Sequence, residues 1–392
     1  MKIKDLGVRL LGALTSLKTS IVCLAALMVL VVACTLAQVN LGTLGAVNLY
    51  IRSFFVWWQV PGTGWSIAVF PGGALVGLVL AANLIAAQVK RLELSGKKAG
   101  IWIIHAGLIL LFVGEFMTSA LQVDAQLAIE QGQTLNYIES PRELELAVVD
   151  VTDPAHDDVY GIPQSRLASA TSIDIPGTPV SLRVRRFFQN ADLSARVPGD
   201  PPSPANMGVG ASVSVRELPP VTADDQMNRA TAFVEPTAGG RSYGTWLVSN
   251  ALGAPQSFTH EGRTYVLAMR PQRQYLPYSV TLKQFRHDVY PGTDIPKNFS
   301  SLVHLSNPSR GEERDVLIYM NQPLRYLGKT FYQASFGKGD TLSVLQVVEN
   351  PGWLLPYISC VLVTLGLLVH FAMSLRRGMR RRQAAEPVGG LT

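Results

Sequence analysis

Four long apolar runs stand out in the hydrophobic pattern of this 392-residue chain, and a polar middle separates the third run from the fourth. A helix needs roughly 20 mostly apolar residues to cross a bilayer, and each run is close to that length. The pattern therefore predicts four transmembrane helices, over Ser20–Gln38, Ile67–Gln88, Gly100–Met117 and Trp353–Ser374.

The polar middle of the chain changes to a different period from about Glu143. Short runs such as "ELELAVVDV", "VSLRVRRFF" and "YSVTLKQF" alternate apolar and polar residues, and turn formers such as "SNPSRGEE" separate them. Such alternation is typical of half-buried strands. Because strands are frequent and helical periodicity is scarce, we expect an antiparallel β-sandwich or open barrel. Residues 198–225, rich in Pro, Gly, Ser and Ala, are predicted to form a long loop.

Basic residues cluster in three short segments that border the apolar runs. These segments hold 13 Lys and Arg against three acidic residues, whereas the whole chain has a net charge of only +6. By the positive-inside rule all three segments lie in the cytoplasm, so the basic balance indicates membrane topology rather than nucleic-acid binding. The clustered residues are Lys2, Lys4, Arg9, Lys18, Lys90, Arg91, Lys97, Lys98, Arg376, Arg377, Arg380, Arg381 and Arg382.

The predicted fold class is an α-helical membrane protein with four transmembrane helices plus a large extracytoplasmic antiparallel β-rich, sandwich-like domain. Along the sequence, predicted membrane segments alternate with water-exposed segments. We expect a cytoplasmic N-terminus over 1–19, three transmembrane helices over 20–117 with an outer loop 39–66 and a cytoplasmic loop 89–99, the β-rich domain over 118–352, the fourth helix over 353–374 and a basic cytoplasmic tail over 375–392.

The outer loop contains an aromatic segment, "NLYIRSFFVWW". Aromatic side chains settle at membrane–water interfaces, so this segment is predicted to be an interfacial helix. Trp57 and Trp58 could instead line an edge of a binding site.

Three cysteines, Cys23, Cys34 and Cys360, all lie in predicted spans. Cys23 and Cys34 are separated by about 16 Å along one helix, too far for a disulfide. The chain has neither a CxxC nor a CxxCH motif, so it has no thioredoxin-type redox site and is not itself a c-type cytochrome. We interpret the three as small apolar packing residues.

Histidines inside apolar runs are the main candidates for chemistry. His105 lies seven residues after Lys98 and His370 six residues before Arg376, so the predicted topology places both at a similar depth in the inner leaflet. Imidazole is a common ligand of haem iron, so ligation by both, or by one here and one on a partner, is possible. Next to His105, Gly107 would let a helix or a flat cofactor approach closely.

Other ionisable groups receive less weight. Glu115, near the outer rim of the third run, is expected to be solvated there. The polar middle carries four more histidines without the spacing of metal ligands, and these are expected to be scattered on the surface: His156, His260, His287 and His304.

Five segments of the sequence together resemble one known protein family. The chain resembles the ResB (CcsB) component of the System II cytochrome c assembly machinery over nearly its full length. In the membrane part the resemblance lies in "VFPGGALVGLVLAANLIAAQ" and "KKAGIWIIHAGLILLFVGEF". Further on it lies in "LPYSVTLKQFRHDVYPGTDIPKNFSSLVHL", "MNQPLRYLGKTFYQASF" and "NPGWLLPYISCVLVTLGLLVHF".

The resemblance implies a membrane component of cytochrome c maturation in a bacterial cytoplasmic (inner) membrane, with both termini cytoplasmic and the large domain periplasmic. Proteins of this family work with CcsA, a tryptophan-rich membrane protein, and carry haem outward for attachment to apocytochrome c. This chain lacks the CcsA part, so we expect a non-catalytic subunit that does not complete the reaction alone. Its expected partners are a CcsA-type protein, apocytochrome c and membrane lipid, without nucleic acid.

The family's transmembrane histidine maps onto His105, which is therefore expected to be an axial ligand of haem iron. The haem b would be transient and shared with the partner, which supplies the opposite ligand. His370 is a second candidate that the resemblance does not carry over, and no residue is assigned a catalytic role.

Two rival hypotheses remain open. One is a membrane-anchored scaffold, in which the β-rich domain binds a partner protein and no cofactor is held. The other is a proton or ion pathway through His105 and Glu115, for which the four spans offer few further polar groups.

Overall fold

The computed structural model describes residues 12, 14–90, 96–221, 226–253, 255–293 and 296–385. It consists of two compact units, a helical unit that ends at Gln122 and resumes at Asn350, and a β-rich unit that begins at Val123 and ends at Glu349. Parts of the predicted cytoplasmic segments lie outside the described residues, including Lys2, Lys4, Arg9 and Arg91.

Within the described residues, four helices are long and apolar enough to cross a membrane, as the apolar pattern predicts. Together with the short helix of the β-rich unit, the helices are α1 Leu17–Ala46, α2 Gly73–Lys90, α3 Ala99–Leu121, α4 Gln164–Ser169 and α5 Leu355–Ala385. Helices α3 and α5 begin within two residues of the predicted starts. Helix α5 runs past the predicted end, Ser374, into its basic segment, since arginines are good helix formers.

The first helix is also longer than predicted. Helix α1 passes Gln38 and reaches Ala46, and a π-helical turn follows over Val47–Ile51. Gly42 interrupts the regular geometry with a φ of 69°, a left-handed value that costs glycine little. The predicted end at Gln38 reflects where the apolar run stops, whereas the hydrogen bonding of the helix continues beyond it.

The helix predicted for the aromatic segment is only partly right, because residues 48–51 belong to the π-helical turn and the rest is not helical. Residues Phe55–Gln59 form strand β1, which pairs antiparallel with strand β2, Ser66–Pro71, so that Trp58 lies opposite Ile67. Aromatic and β-branched residues favour strands, and the intervening "VPGTGW" supplies the turn. The second long helix consequently begins at Gly73 rather than Ile67.

The β-rich unit contains strands β3 to β19. In chain order they are β3 Val123–Glu130, β4 Thr134–Asp150, β5 Asp158–Pro163, β6 Ser172–Asp174, β7 Val180–Phe188, β8 Ala191–Ala195, β9 Val213–Glu217, β10 Thr231–Ala238, β11 Arg241–Ser242, β12 Trp246–Ser249, β13 Gln256–His260, β14 Arg263–Val289, β15 Pro296–Asn307, β16 Glu312–Tyr319, β17 Leu324–Tyr326, β18 Lys329–Gly337 and β19 Leu342–Glu349.

These strands form three antiparallel sheets. The largest has ten strands, with the main order β16-β15-β14-β4-β3-β19-β18-β17, and with β13 on β14 and β5 on β4. A five-stranded sheet has the order β11-β10-β7-β6 with β12 on β10, and β8 pairs with β9. The antiparallel β-rich prediction is confirmed. The long loop predicted over 198–225 is only partly right, because Gly208–Ser212 forms a 3₁₀ turn and β9 follows it.

Alternation along the strands builds two large cores. In β3, Ala125, Leu127 and Ile129 point inward, while the residues between them lie nearer to solvent. They join a core beneath one half of the large sheet, and a second core fills the space between the other half and the five-stranded sheet. The period-two pattern read from the sequence therefore corresponds to one buried face per strand.

One half of the large sheet is curled. Side-chain hydrogen bonds show this, since they join strands that are far apart in the strand order. Asn307 Nδ2 donates a hydrogen bond to Tyr326 Oη at 2.8 Å, and Tyr326 Oη donates to Glu312 Oε2 at 2.9 Å. Ser301 Oγ of β15 also donates to Gln333 Oε1 of β18 at 2.6 Å. This half of the unit thus has the character of an open barrel, whereas the other half is a sandwich.

A buried carboxylate on β10 is bonded to residues of two neighbouring strands, β11 and β7, and so links three strands of the five-stranded sheet. Glu235 accepts hydrogen bonds from Ser242 Oγ at 2.6 Å and from Arg185 Nε at 2.8 Å, and Arg183 lies 3.7 Å away. The Ser242 hydrogen bond, together with the arginines, lowers the pKa of Glu235 despite its burial.

Acid should therefore weaken the β-rich unit through Glu235. A carboxyl with a depressed folded-state pKa contributes stability that is present above its ordinary pKa of 4.5 and is lost as the pH falls through the lower folded value. We expect Glu235→Gln to flatten the pH dependence of the free energy of unfolding below pH 4.5. Denaturant titrations of the full chain across that range measure the slope. Glu217→Gln, which alters a carboxylate 64% exposed, should leave it unchanged; equal slopes for all three proteins would contradict the assignment.

Candidate functional site

Helices α3 and α5 pack closely through glycines. Gly100, Gly107 and Gly114 are seven residues apart, all are buried, and they lie along one face of α3. A Cβ atom on Gly107 would lie 2.8 Å from Val363 Cγ2, and one on Gly100 would lie 2.5 Å from the backbone nitrogen of His370. The expected close approach of another helix at Gly107 is thus confirmed, because only glycine leaves the necessary room.

His105 lies on a different face of α3. It follows Gly100 by five residues, which turns it by about 140° around the helix and moves it about 7.5 Å along the axis. Its imidazole is half-buried and Nδ1 is 2.7 Å from the carbonyl oxygen of Ile101. Because a carbonyl oxygen only accepts, Nδ1 carries the hydrogen in this contact, and the lone pair is left on Nε2.

His370 is placed differently. Its backbone packs against Gly100 at the beginning of α3, while the residue as a whole is exposed. His105 lies deeper along α3 and faces away from this contact. The structure therefore does not bring the two imidazoles together on one face, although both lie towards the Lys98 end of the helix pair.

A cavity of about 660 Å³ lies between α2 and α3. Its walls are mainly apolar, and the charged or hydroxyl-bearing side chains among them are Arg52, Glu115 and Ser119. On α3, Ile109, Phe112 and Phe116 line it, and helical geometry places each within about 40° of the His105 direction. His105 thus lies one turn from the cavity wall, on the face of α3 that leads into it.

The residues around His105 suit a flat apolar group such as haem as a cargo. A metal-ligating histidine commonly donates its other ring N–H to a backbone carbonyl, which orients the ring. The Ile101 contact provides this arrangement, and apolar side chains continue along the same face. The cavity volume also falls in the range of roughly 300–1,000 Å³ that small-molecule pockets have.

Glu115 and Arg52 are brought together by the fold, although α3 and the segment before β1 are far apart in the sequence. Glu115 lies ten residues beyond His105, about 15 Å along the helix, so the two do not form one polar pair. Glu115 is exposed, as expected from its position near the outer rim, whereas the sequence analysis did not single out Arg52. The available signal was a lone arginine inside an aromatic segment.

The expectation that the other four histidines are scattered on the surface is wrong for two of them. The side chain of His260 is 10% exposed and its Nδ1 is 2.5 Å from Tyr243 Oη. That of His287 is 13% exposed and stacks on Phe299 at 4.9 Å. An alternating strand pattern does not reveal which aromatic rings will pack on a histidine from other strands. Among the described residues, no group of three or more His, Cys, Asp or Glu could hold a metal ion.

The three cysteines are free, as the spacing predicts for Cys23 and Cys34. Cys23 packs with Leu30, Val56 and Val76 in the core of the helical unit. Cys34 is also buried, whereas Cys360 is exposed on α5. The interpretation as packing residues therefore holds for the first two.

Apolar helices of spanning length joined to an antiparallel β-rich unit fit a membrane protein with one large polar domain. The family model described as the ResB-like family matches residues 243–344. Protein NrfI of Wolinella succinogenes is 36% identical over 102 residues, which are 26% of this chain and 11% of NrfI. Residues 243–344 of this chain are therefore similar to the ResB-like family, which agrees with the resemblance read from the sequence.

The extent of these matches is limited in two ways. The chain covers about a tenth, 11%, of the length of the curated relative. The family match lies within the β-rich unit, from just before β12 to the beginning of β19, and does not include His105.

Proposed function

We propose that this protein is a membrane component of cytochrome c maturation that helps carry haem from the cytoplasmic side to the outer side. Attachment to apocytochrome c would follow together with a CcsA-type partner. The ResB-like match supports the process. The observation that carries the haem role is the Ile101 contact of His105, which leaves the Nε2 lone pair on the face of α3 that leads into the apolar cavity.

In this proposal each group has a defined task. His105 Nε2 binds the iron of a haem b that is cargo, held transiently and shared with the partner, which supplies the opposite ligand. The Ile101 carbonyl holds the ring in one tautomer and orientation. His370, exposed on α5 beside the beginning of α3, is the second candidate ligand. The chain itself acts as a non-catalytic subunit.

The proposed topology follows from charge. Lys90 and Lys98 lie between α2 and α3, and arginines such as Arg376 and Arg380 follow the apolar part of α5. By the positive-inside rule these ends would face the cytoplasm and the β-rich unit would lie outside. The ResB-like match supports a bacterial inner membrane as the location. His105 then lies near the cytoplasmic side, where it would meet haem made in the cytoplasm.

The test is the amount of holocytochrome c in cells that carry only the altered chain. Loss of a group that only hydrogen-bonds a metal ligand weakens metal binding about 10–100-fold. His105→Ala removes the ligand itself, so it should lower holocytochrome c by about tenfold or more. Haem staining at equal levels of the membrane protein measures this. His370→Ala is the matched control and should retain most of the product. Normal holocytochrome c in the His105→Ala cells would contradict the role of His105.

A scaffold is the second candidate, and one observation favours it. The family match falls on the β-rich unit, whereas the histidine of interest is on α3. A scaffold would bind its partner through the β-rich unit and would tolerate any residue at position 105. The same cell measurement therefore distinguishes the two candidates.

A further inference from the structure

The cavity between α2 and α3 carries an unexplained pair of charges. Arg52 and Glu115 both line it, and the described part of the chain offers neither of them an ion-pair partner within 4.0 Å. Apart from Ser119, the remaining lining side chains are apolar or glycine. Both side chains are exposed, so they lie at the open side of the cavity, where a ligand that carries an anionic and a cationic group can pair with both.

The charges lie at one end of the cavity. Arg52 lies just after the π-helical turn and Glu115 lies in the second half of α3, so both belong to the end of the helix pair remote from Lys90 and Lys98. The apolar part extends along α2 from Gly73 to Ile85, a length of about 18 Å. Half of a bilayer's hydrocarbon core is roughly 15 Å, so this wall matches one leaflet.

We propose that this cavity is a binding site for a phospholipid with a primary-amine headgroup. The phosphate would accept hydrogen bonds from the Arg52 guanidinium, and the ammonium would donate to the Glu115 carboxylate and the Ser119 hydroxyl. One acyl chain would lie along the apolar wall of α2. An ammonium group supplies three N–H donors, whereas a trimethylated choline supplies none, so the site should select the amine.

Haem fits this end of the cavity less well. Its two propionates are both anionic, and Glu115 would repel the group that Arg52 attracts. The charged end is also about 15 Å from His105 along α3, so an iron ligated by His105 would not place its propionates there. The lipid site therefore does not depend on the proposed haem role.

The experiment uses the full-length chain reconstituted in nanodiscs that contain equal amounts of phosphatidylethanolamine and phosphatidylcholine. After brief detergent extraction, mass spectrometry of the purified protein counts the lipids that remain bound. A charge-assisted hydrogen bond contributes enough binding free energy that wild type should retain about tenfold more phosphatidylethanolamine than phosphatidylcholine. Glu115→Gln should abolish the preference, Glu115→Asp should keep part of it, and Arg52→Gln should reduce retention of both lipids.

Controls separate this proposal from misfolding and from haem handling. Lys90→Gln removes a charge at the opposite end of α2 and should leave retention unchanged, as should His105→Gly. Thermal unfolding of each variant in detergent reports its folding, and added phosphatidylethanolamine should raise the midpoint for wild type more than for Glu115→Gln. Equal retention of the two lipids by wild type would overturn the proposal. The proposal would also be overturned if haem co-purified with wild type and with His105→Gly but not with Arg52→Gln.

Discussion

The low-spin haem spectrum of this protein purified with its CcsA-type partner is expected to disappear when His105 is changed to Gly and to return when imidazole is added. Glycine at 105 leaves a space of the size of an imidazole on the half-buried face of α3. Free imidazole can then supply the missing nitrogen without the covalent link. Rescue therefore distinguishes a ligand from a residue that only supports the fold.

The matched comparison is His370→Gly. Because His370 is exposed and lies on a different face of the helix pair, its removal should leave the spectrum intact. Absorption spectra of the reduced complexes, normalised to protein, make the measurement. An unchanged spectrum in His105→Gly would place the haem elsewhere. Loss in the His370 variant would make that residue a ligand, and absence of haem from the wild-type complex would favour the scaffold.

Truncation of Phe331 should destabilise the β-rich unit more than any surface change. Its side chain is fully buried in the core beneath the curled half of the large sheet. Phe→Ala in a core removes buried apolar area and leaves a cavity, so we expect a loss of about 3–5 kcal/mol in the free energy of unfolding. Pulse proteolysis of the full chain in urea measures that free energy for the β-rich unit.

The neighbouring residue provides the control for this prediction. Tyr332 follows in the same strand, β18, and is 38% exposed because successive side chains of a strand point to opposite faces. Tyr332→Ala should cost much less than Phe331→Ala. Equal losses would mean that the register of β18 is not the one described.

Particular elements illustrate how far the sequence predicts this fold. The four long helices follow from uninterrupted apolar runs, since a run of that length has few alternatives in water or lipid. The antiparallel β-rich unit follows from period-two alternation. The hairpin of β1 and β2 was not anticipated, because aromatic residues suit both an interfacial helix and a strand, and pairing across the turn decides between them.

Some features of the candidate site can likewise be predicted from the sequence, and others depend on the fold. His105 is conspicuous in the sequence because an ionisable group inside an apolar run is costly and therefore suggests a function. Its hydrogen bond to Ile101, four residues earlier, depends on the rotamer of the ring. The cavity charges are different, since Arg52 and Glu115 are 63 positions apart and meet only through the packing of α2 and α3.

By itself the sequence determined the apolar helices, the strand-rich middle, the ResB-like character and the histidine of interest. Each of these is encoded locally, through the period of apolar residues or through short motifs. Tertiary structure alone decided which face of α3 meets α5, which strands close the curled sheet, and which histidines become buried. Those outcomes depend on contacts between segments distant in the chain, and the free energy of such contacts cannot be read from any one segment.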